Sequence, residues 1–132
     1  MAQIVIVDDS SFQRLYLGRI VRDAGHNVIE ASGGNEAIEL INKEKPDCML
    51  LDILMPGING FDVLAYMNKN DISLPVIVIS ADIQESIQKR CIEKGAFSFL
   101  GKFVRKVSLL NEIDRALHAK TENRYANDVI SN

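Results

Sequence analysis

Five short apolar runs, Gln3–Val7, Asn27–Glu30, Cys48–Leu51, Val76–Ser80 and Phe97–Leu100, punctuate the chain, and each is followed by a longer segment of helical period. This alternation constrains the fold more than any other feature. A strand joined to the next by a helix crosses the face of the sheet and lies parallel to its predecessor. Four of the runs are nearly all apolar, as in strands covered on both faces. Helices are expected at about Ser11–Ala24, Asn35–Asn42, Gly60–Asn68 and Gln84–Lys94, and a fifth from Val107 or Ser108, with Ser108 as its cap. In the first, Leu17, Ile20, Val21 and Ala24 repeat at three and four before Gly25. The expected architecture is α/β: a doubly wound, five-stranded parallel sheet of order 2-1-3-4-5 in three layers.

With 132 residues, 47% of them hydrophobic, the chain has the size of one domain, able to bury roughly 68–70% of its unfolded surface. The reading places that domain at residues 1–119, and residues 120–132, which turn polar, as a C-terminal tail, a helix extension or the start of a linker. The net charge is −3 and no stretch concentrates Lys and Arg among aromatics, which argues against direct nucleic-acid binding. No apolar run approaches the ~20 residues needed to cross a bilayer, so no membrane span is expected. Met1-Ala2-Gln3-Ile4 carries no basic leader, and a cytoplasmic location is expected. Cys48 and Cys91 stand apart, which fits a reducing compartment and buried thiols, not a disulfide or zinc framework.

Ligands of such sheets bind beyond the carboxyl ends of the strands, where the strand order reverses. Here those ends read Val7-Asp8-Asp9-Ser10, Leu51-Asp52, Ser80-Ala81 and Gly101-Lys102. Three carboxylates from neighbouring strands would crowd together. Each like-charge pair at ~4 Å costs about 4 kcal/mol at an effective dielectric of 20, against a domain stability of ~5–15 kcal/mol. Lys102 supplies one offsetting charge. An oxygen-only cluster without His or Cys suits a hard divalent ion, and Mg²⁺ tolerates few protein ligands plus waters. Metal, ammonium and the Ser80 hydroxyl together suit a phosphoryl group. Asp52, on the central strand, is the candidate nucleophile, forming an acyl phosphate.

These residues resemble the receiver domain of two-component response regulators, with its single-domain chemotaxis-type members. The resemblance rests on Asp8-Asp9, Asp52 with Met55-Pro56 and Gly60, Ser80-Ala81 and Lys102, and covers about Gln3 to Leu117. Arg14, Gly25, Glu30-Ala31 and Gly95-Ala96 agree with it. It implies a flavodoxin-like fold and transfer of a phosphoryl group from a sensor histidine kinase or phosphotransfer protein to Asp52. By similarity Asp8, Asp9, Asp52 and the Leu54 carbonyl would hold Mg²⁺, Asp8 mainly through water. Ser80 and Lys102 would stabilise the phosphoryl group, and Ser80 and Phe99 would form the switch. The readout would be the helix 4, strand 5, helix 5 face, which contacts an effector protein or fused effector domain and, in some states, a second copy in a phosphorylation-dependent dimer. Leu54 and Asp82 would tune the phosphoryl lifetime. Such a chain is a phosphoacceptor and not a turnover enzyme.

The sequence departs from the family pattern after Lys102, where Phe103 replaces the usual proline. A cis peptide costs roughly 2.5–4 kcal/mol before a residue other than proline, so a trans Lys102–Phe103 bond and a reshaped loop are expected. The alternative class is a phosphorylation-independent interaction module on the same fold. A phosphatase or nucleotide-binding enzyme is disfavoured, because there is no Gly-rich phosphate loop and Leu54 stands where a second aspartate would be needed.

Overall fold

The computed structural model describes residues 1–131, with side chains through Lys120. The elements alternate strictly: β1 (Gln3–Val7), α1 (Ser11–Asp23), β2 (Asn27–Ala31), α2 (Gly34–Glu44), β3 (Cys48–Leu51), α3 (Gly60–Lys69), β4 (Val76–Ser80), α4 (Glu85–Glu93), β5 (Ser98–Gly101) and α5 (Lys106–Ser131). All strand pairs are parallel, and the sheet order is β2-β1-β3-β4-β5. The expected fold and order are therefore those found, with element ends displaced by one or two residues except at the C-terminal end of α5.

The sheet divides the core because successive side chains of a strand point to opposite faces. Val5, Val7, Met49, Leu51, Val76 and Val78 join Ala37, Ile41, Val63, Leu64, Met67 and Cys91 on the side of α2, α3 and α4. Ile4, Ile6, Cys48, Leu50, Ile77 and Ile79 join Leu17, Ile20, Val21, Leu109, Ile113 and Ala116 on the side of α1 and α5. Both cysteines are free and buried, in clusters on opposite sides of the sheet. Burial pushes the Cys48 thiol up to about 12, so it behaves as a small hydrophobe.

Local chemistry sets the helix starts nearest the carboxyl edge. Ser10 caps α1, its Oγ accepting from the Gln13 N–H at 3.2 Å. Asn59 and Asp62 form a reciprocal capping box at the start of α3. The fifth helix begins before Ser108: the Leu109 N–H already donates to the Arg105 carbonyl at 3.0 Å, so Ser108 lies inside the first turn and is not its cap. The backbone of α5 continues to Ser131, through the segment expected as a tail. The side chains beyond Lys120, and residue 132, lie outside the described residues.

One loop is fixed by a close approach. The Gly60 N–H donates to the Ile53 carbonyl at 3.0 Å. A Cβ at Gly60 would stand 2.6 Å from the Asp52 carbonyl oxygen and 2.8 Å from the Ile53 Cα, backbone atoms that cannot yield cheaply. The turn from β3 to α3 thus folds back onto the strand end only because residue 60 lacks a side chain. Gly60→Ala is expected to destabilise the domain by roughly 1–3 kcal/mol, as overpacking does in a well-packed interior, and urea denaturation would measure it.

Candidate functional site

Sheet register brings the polar residues together. Val7 pairs with Leu51 and Ala31, so Asp8 and Asp52 follow at the same level on adjacent strands. Ser80 pairs with Gly101, which places Lys102 one residue beyond. Backbone hydrogen bonds extend past each strand end: the Asp8 N–H to the Ala31 carbonyl at 3.1 Å, Asp52 to Val7 at 2.9 Å and Lys102 to Ser80 at 2.9 Å. The site is therefore built on the ladder of the sheet and not on free loops.

Asp8 and Asp52 are buried, at 1% and 4% exposure, whereas Asp9 faces solvent. Carboxylate oxygens of all three lie within 4.8 Å of one another. Lys102 Nζ stands 3.1 Å from Asp8 Oδ2 and 3.5 Å from Asp52 Oδ1. Both Asp8 oxygens are engaged, since Oδ1 accepts from the Ser10 N–H at 2.9 Å. Asp9 and Asp52 are thus better placed than Asp8 to offer an oxygen directly to a metal ion. Asp8, Asp9 and Asp52 bring three negative charges against the single ammonium of Lys102. The imbalance shows in Asp52: burial, then the charge of Asp8, raises its pKa to about 6, while Lys102 pulls the other way. Burial works to lower the Lys102 pKa, but its hydrogen bonds and charge pairing with Asp8 and Asp52 together raise it. An all-oxygen donor set holding more negative charge than its lysine neutralises fits a hard divalent cation such as Mg²⁺.

The other predicted residues surround this cluster. Ser80 is fully buried, and its Oγ accepts from the Asp82 N–H at 3.1 Å. The Asp82 carboxylate is occupied by Gln84, accepting from its N–H at 3.1 Å and from its Nε2 at 3.3 Å. Leu54 is exposed on the loop after Asp52. Phe99 is half-buried on β5, packed against the cluster under α2, α3 and α4.

The expected trans bond after Lys102 is not found; the Lys102–Phe103 peptide is cis. The trans preference of a residue other than proline is a local term, and here both flanks of the bond are pinned by tertiary contacts. The Lys102 N–H is held by the Ser80 carbonyl, and the Val104 carbonyl accepts from Tyr16 Oη at 2.7 Å. Phe103 itself is 76% exposed.

Two residues that sequence reasoning did not assign to the site touch its framework. Tyr16 reaches the lysine loop from α1. Arg14 donates from Nη1 to the Asp8 carbonyl at 2.7 Å and from Nε to Glu30 Oε1 at 3.1 Å, and Glu30 also faces Arg22 at 3.6 Å. Arg14 entered only as a point of resemblance. Nothing in the spacing of Tyr16 marks it, because its partner lies 88 residues away.

Comparisons with known proteins agree with this geometry. The response regulator receiver domain family matches residues 4–114. Protein PilH of Pseudomonas aeruginosa is 36% identical over 119 residues, spanning 89% of this chain and 98% of that protein. Chemotaxis protein CheY of Thermotoga maritima is 37% identical over 117 residues, spanning 86% of this chain and 98% of that one. A cyclic di-GMP phosphodiesterase of the same organism is 33% identical, but the match covers only 34% of its length. The receiver domain of a LuxO repressor protein from Vibrio parahaemolyticus superposes with a TM-score of 0.90 at 27% identity, covering 95% of this chain and 96% of that one. The chain belongs to the response regulator receiver family, whose members are phosphoacceptors paired with histidine kinases, and it carries the acidic cluster typical of the Mg²⁺ site of receivers.

The raised Asp52 pKa has a consequence for stability. Unfolded, this carboxyl loses its proton near 3.8; folded, it holds it to about 6. Between those values the folded state binds more protons, so this group's contribution is fullest at low pH and is lost as pH rises through about 6. At pH 7.5 without metal, Asp52→Asn is expected to stabilise the domain by about 1–3 kcal/mol, the upper end being the full linkage value of two pKa units. Urea denaturation in EDTA across pH 4.5–7.5 checks it, and the variant should also lose this group's fall of stability with pH.

Proposed function

We propose that residues 1–119 form a receiver that takes a phosphoryl group from a sensor histidine kinase or phosphotransfer protein onto Asp52 and signals through the face of α4, β5 and α5. The observation that carries this reading is Asp52 itself, buried and sharing the Lys102 ammonium with Asp8, with a carboxyl whose pKa is pushed up to about 6. Asp9, Asp52, the Leu54 carbonyl and, through water, Asp8 would hold Mg²⁺. Bound there, the ion supplies Lewis-acid neutralisation of phosphoryl oxygens.

The residues of the chain divide the remaining work. An Asp52 oxygen forms the new bond to phosphorus as the P–N bond of the donor phosphohistidine breaks. The electron pair stays on the imidazole nitrogen, which takes a proton. Lys102 Nζ, already between Asp8 and Asp52, neutralises one oxygen of the transferred group. Ser80 exchanges its bond with the Asp82 N–H for one to another phosphoryl oxygen, and Phe99 turns inward toward the space that Ser80 leaves. The face this reaches is lightly held. Cys91 is the only buried residue of α4, and every residue of β5 is only partly buried. Few buried contacts leave a segment low local stability, which suits an element with two arrangements.

Leu54 and Asp82 are the proposed lifetime-tuning positions. With both oxygens bonded to Gln84, Asp82 is turned away from service to a hydrolytic water, which favours a long-lived acyl phosphate. The proposed setting is the cytoplasm, with an effector protein or fused effector domain reading the switched face as a monomer or a phosphorylation-dependent dimer. No helix among the described residues is long and apolar enough to cross a membrane.

Incubation of the purified chain with radiolabelled acetyl phosphate and Mg²⁺ is expected to label it. Labelling should vanish in EDTA and in Asp52→Asn; label retained in that variant would locate the acceptor elsewhere. A partner that binds equally with and without phosphodonor would favour the phosphorylation-independent module. Separately, Gln84→Ala, which releases Asp82 Oδ2 from Nε2 while the backbone N–H still holds Oδ1, is expected to shorten the half-life of the labelled protein about two- to fivefold, the scale of losing one modest hydrogen bond. The decay of label after donor removal measures it.

A further inference from the structure

We infer that Tyr16 is a positioning residue for Lys102, its hydroxyl fixing from α1 the loop that presents the ammonium to Asp8 and Asp52. The inference rests on the receiver reading above and assigns to this chain a contact that the reading does not require.

The Lys102 stem is four flexible carbons, so where Nζ sits depends on where the backbone holds Cα. Nζ must serve Asp8 Oδ2 at 3.1 Å and Asp52 Oδ1 at 3.5 Å together, which leaves little freedom. The loop between β5 and α5 contains few anchors. Phe103 is 76% exposed and contributes almost no packing. Arg105 is exposed, and α5 starts only at Lys106. What remains is the Lys102 N–H to the Ser80 carbonyl at 2.9 Å, the buried Val104 side chain, and the Tyr16 Oη donating to the Val104 carbonyl at 2.7 Å.

These anchors differ in kind. The Ser80 carbonyl ties Lys102 along the β4–β5 edge itself, the edge that the proposed switch reaches. Tyr16 stands on α1, whose Leu17, Ile20 and Val21 are packed in the core on the opposite side of the sheet from Phe99. Its hydroxyl therefore ties the lysine loop to a part of the domain that stays in place. Among the described tyrosines, Tyr66 provides an internal comparison: its Oη accepts from Asn42 Nδ2 at 2.9 Å between α3 and α2, on the other side of the sheet.

The experiment compares Tyr16→Phe, which removes only the hydroxyl, with Tyr66→Phe and wild type. Two quantities are measured: the rate of labelling by acetyl phosphate at saturating Mg²⁺, and Mg²⁺ affinity of the unphosphorylated protein by titration followed through backbone amide signals. Tyr16→Phe is expected to label about three- to tenfold more slowly, the scale of one lost hydrogen bond. Its Mg²⁺ affinity should be unchanged or tighter, because a lysine that strays from Asp8 and Asp52 competes less with the ion. The amide signals of Lys102 and Ser80 should shift, and Tyr66→Phe should match wild type in labelling rate, Mg²⁺ affinity and these two signals.

Labelling by Tyr16→Phe at the wild-type rate would overturn the inference while leaving the receiver reading intact. So would a parallel loss of labelling and Mg²⁺ affinity, the mark of general loosening. A wild-type chain that takes no label would overturn the reading itself, and this inference with it.

Discussion

Three aspartates and one lysine at the carboxyl edge of the sheet form an arrangement that folding alone would not favour. Burying a carboxylate beside another is costly, and Lys102 answers only part of the charge. Burial first, and the charge of Asp8 second, leave Asp52 with a pKa raised to about 6. The rest of the domain can be understood as the framework that tolerates this site. Residues 4 to 7 of β1, all of β3 and all of β4 are buried, so the strands that present the acids and Ser80 are fully covered on both faces.

That arrangement also explains why the proposed chemistry can act as a switch. The unphosphorylated site holds excess negative charge close to a single ammonium, and a bound divalent ion relieves it. Adding a phosphoryl group to Asp52 replaces one carboxylate charge with a larger anion carrying several acceptor oxygens. Those oxygens call on two donors, Lys102, now shared between two carboxylates, and the Ser80 hydroxyl, whose oxygen now accepts from the Asp82 N–H. Redistribution of these few bonds is the only input needed, provided that the element they touch is weakly held. The edge of β5 and α4 meets that condition, while the opposite edge, with Arg14, Glu30 and Arg22 linked across α1 and β2, carries its own network of charged contacts.

Most of the fold was legible in the sequence because its information is periodic. Apolar runs of strand length separated by helical stretches leave few other architectures, and the polar residues Asp8, Asp52, Ser80 and Lys102 each interrupt the pattern at the same place, the carboxyl end of a strand. Register then does the rest, since parallel strands in that order bring those interruptions to one end. Helix starts were less legible: Ser108 looks like a cap, yet α5 begins at Lys106, where the Leu109 N–H reaches back to the Arg105 carbonyl, a backbone bond that no side chain announces. The bond after Lys102 failed as an expectation for a related reason. A preference belonging to one peptide unit was weighed without the contacts from Ser80 and Tyr16, which exist only in the folded chain. Arg14 and Tyr16 show the same limit: each touches the framework of the site through a backbone carbonyl, that of Asp8 and that of Val104, and a carbonyl leaves no mark on sequence.

Phe103 makes this limit useful. In a chain with proline at that position, the ring itself would restrict the loop that carries the lysine. Here that restriction is absent, and the side chain in its place faces solvent. The loop must then be ordered by contacts from outside it, and among the described residues the long-range side-chain bond it receives comes from Tyr16. A substitution that looks local in sequence thus moves control of Lys102 to α1, a different element on the stable side of the sheet. Two receivers with the same five site residues can in this way place the same ammonium by different means, one through the covalent stiffness of its loop and the other through a hydroxyl held across the edge of the pocket.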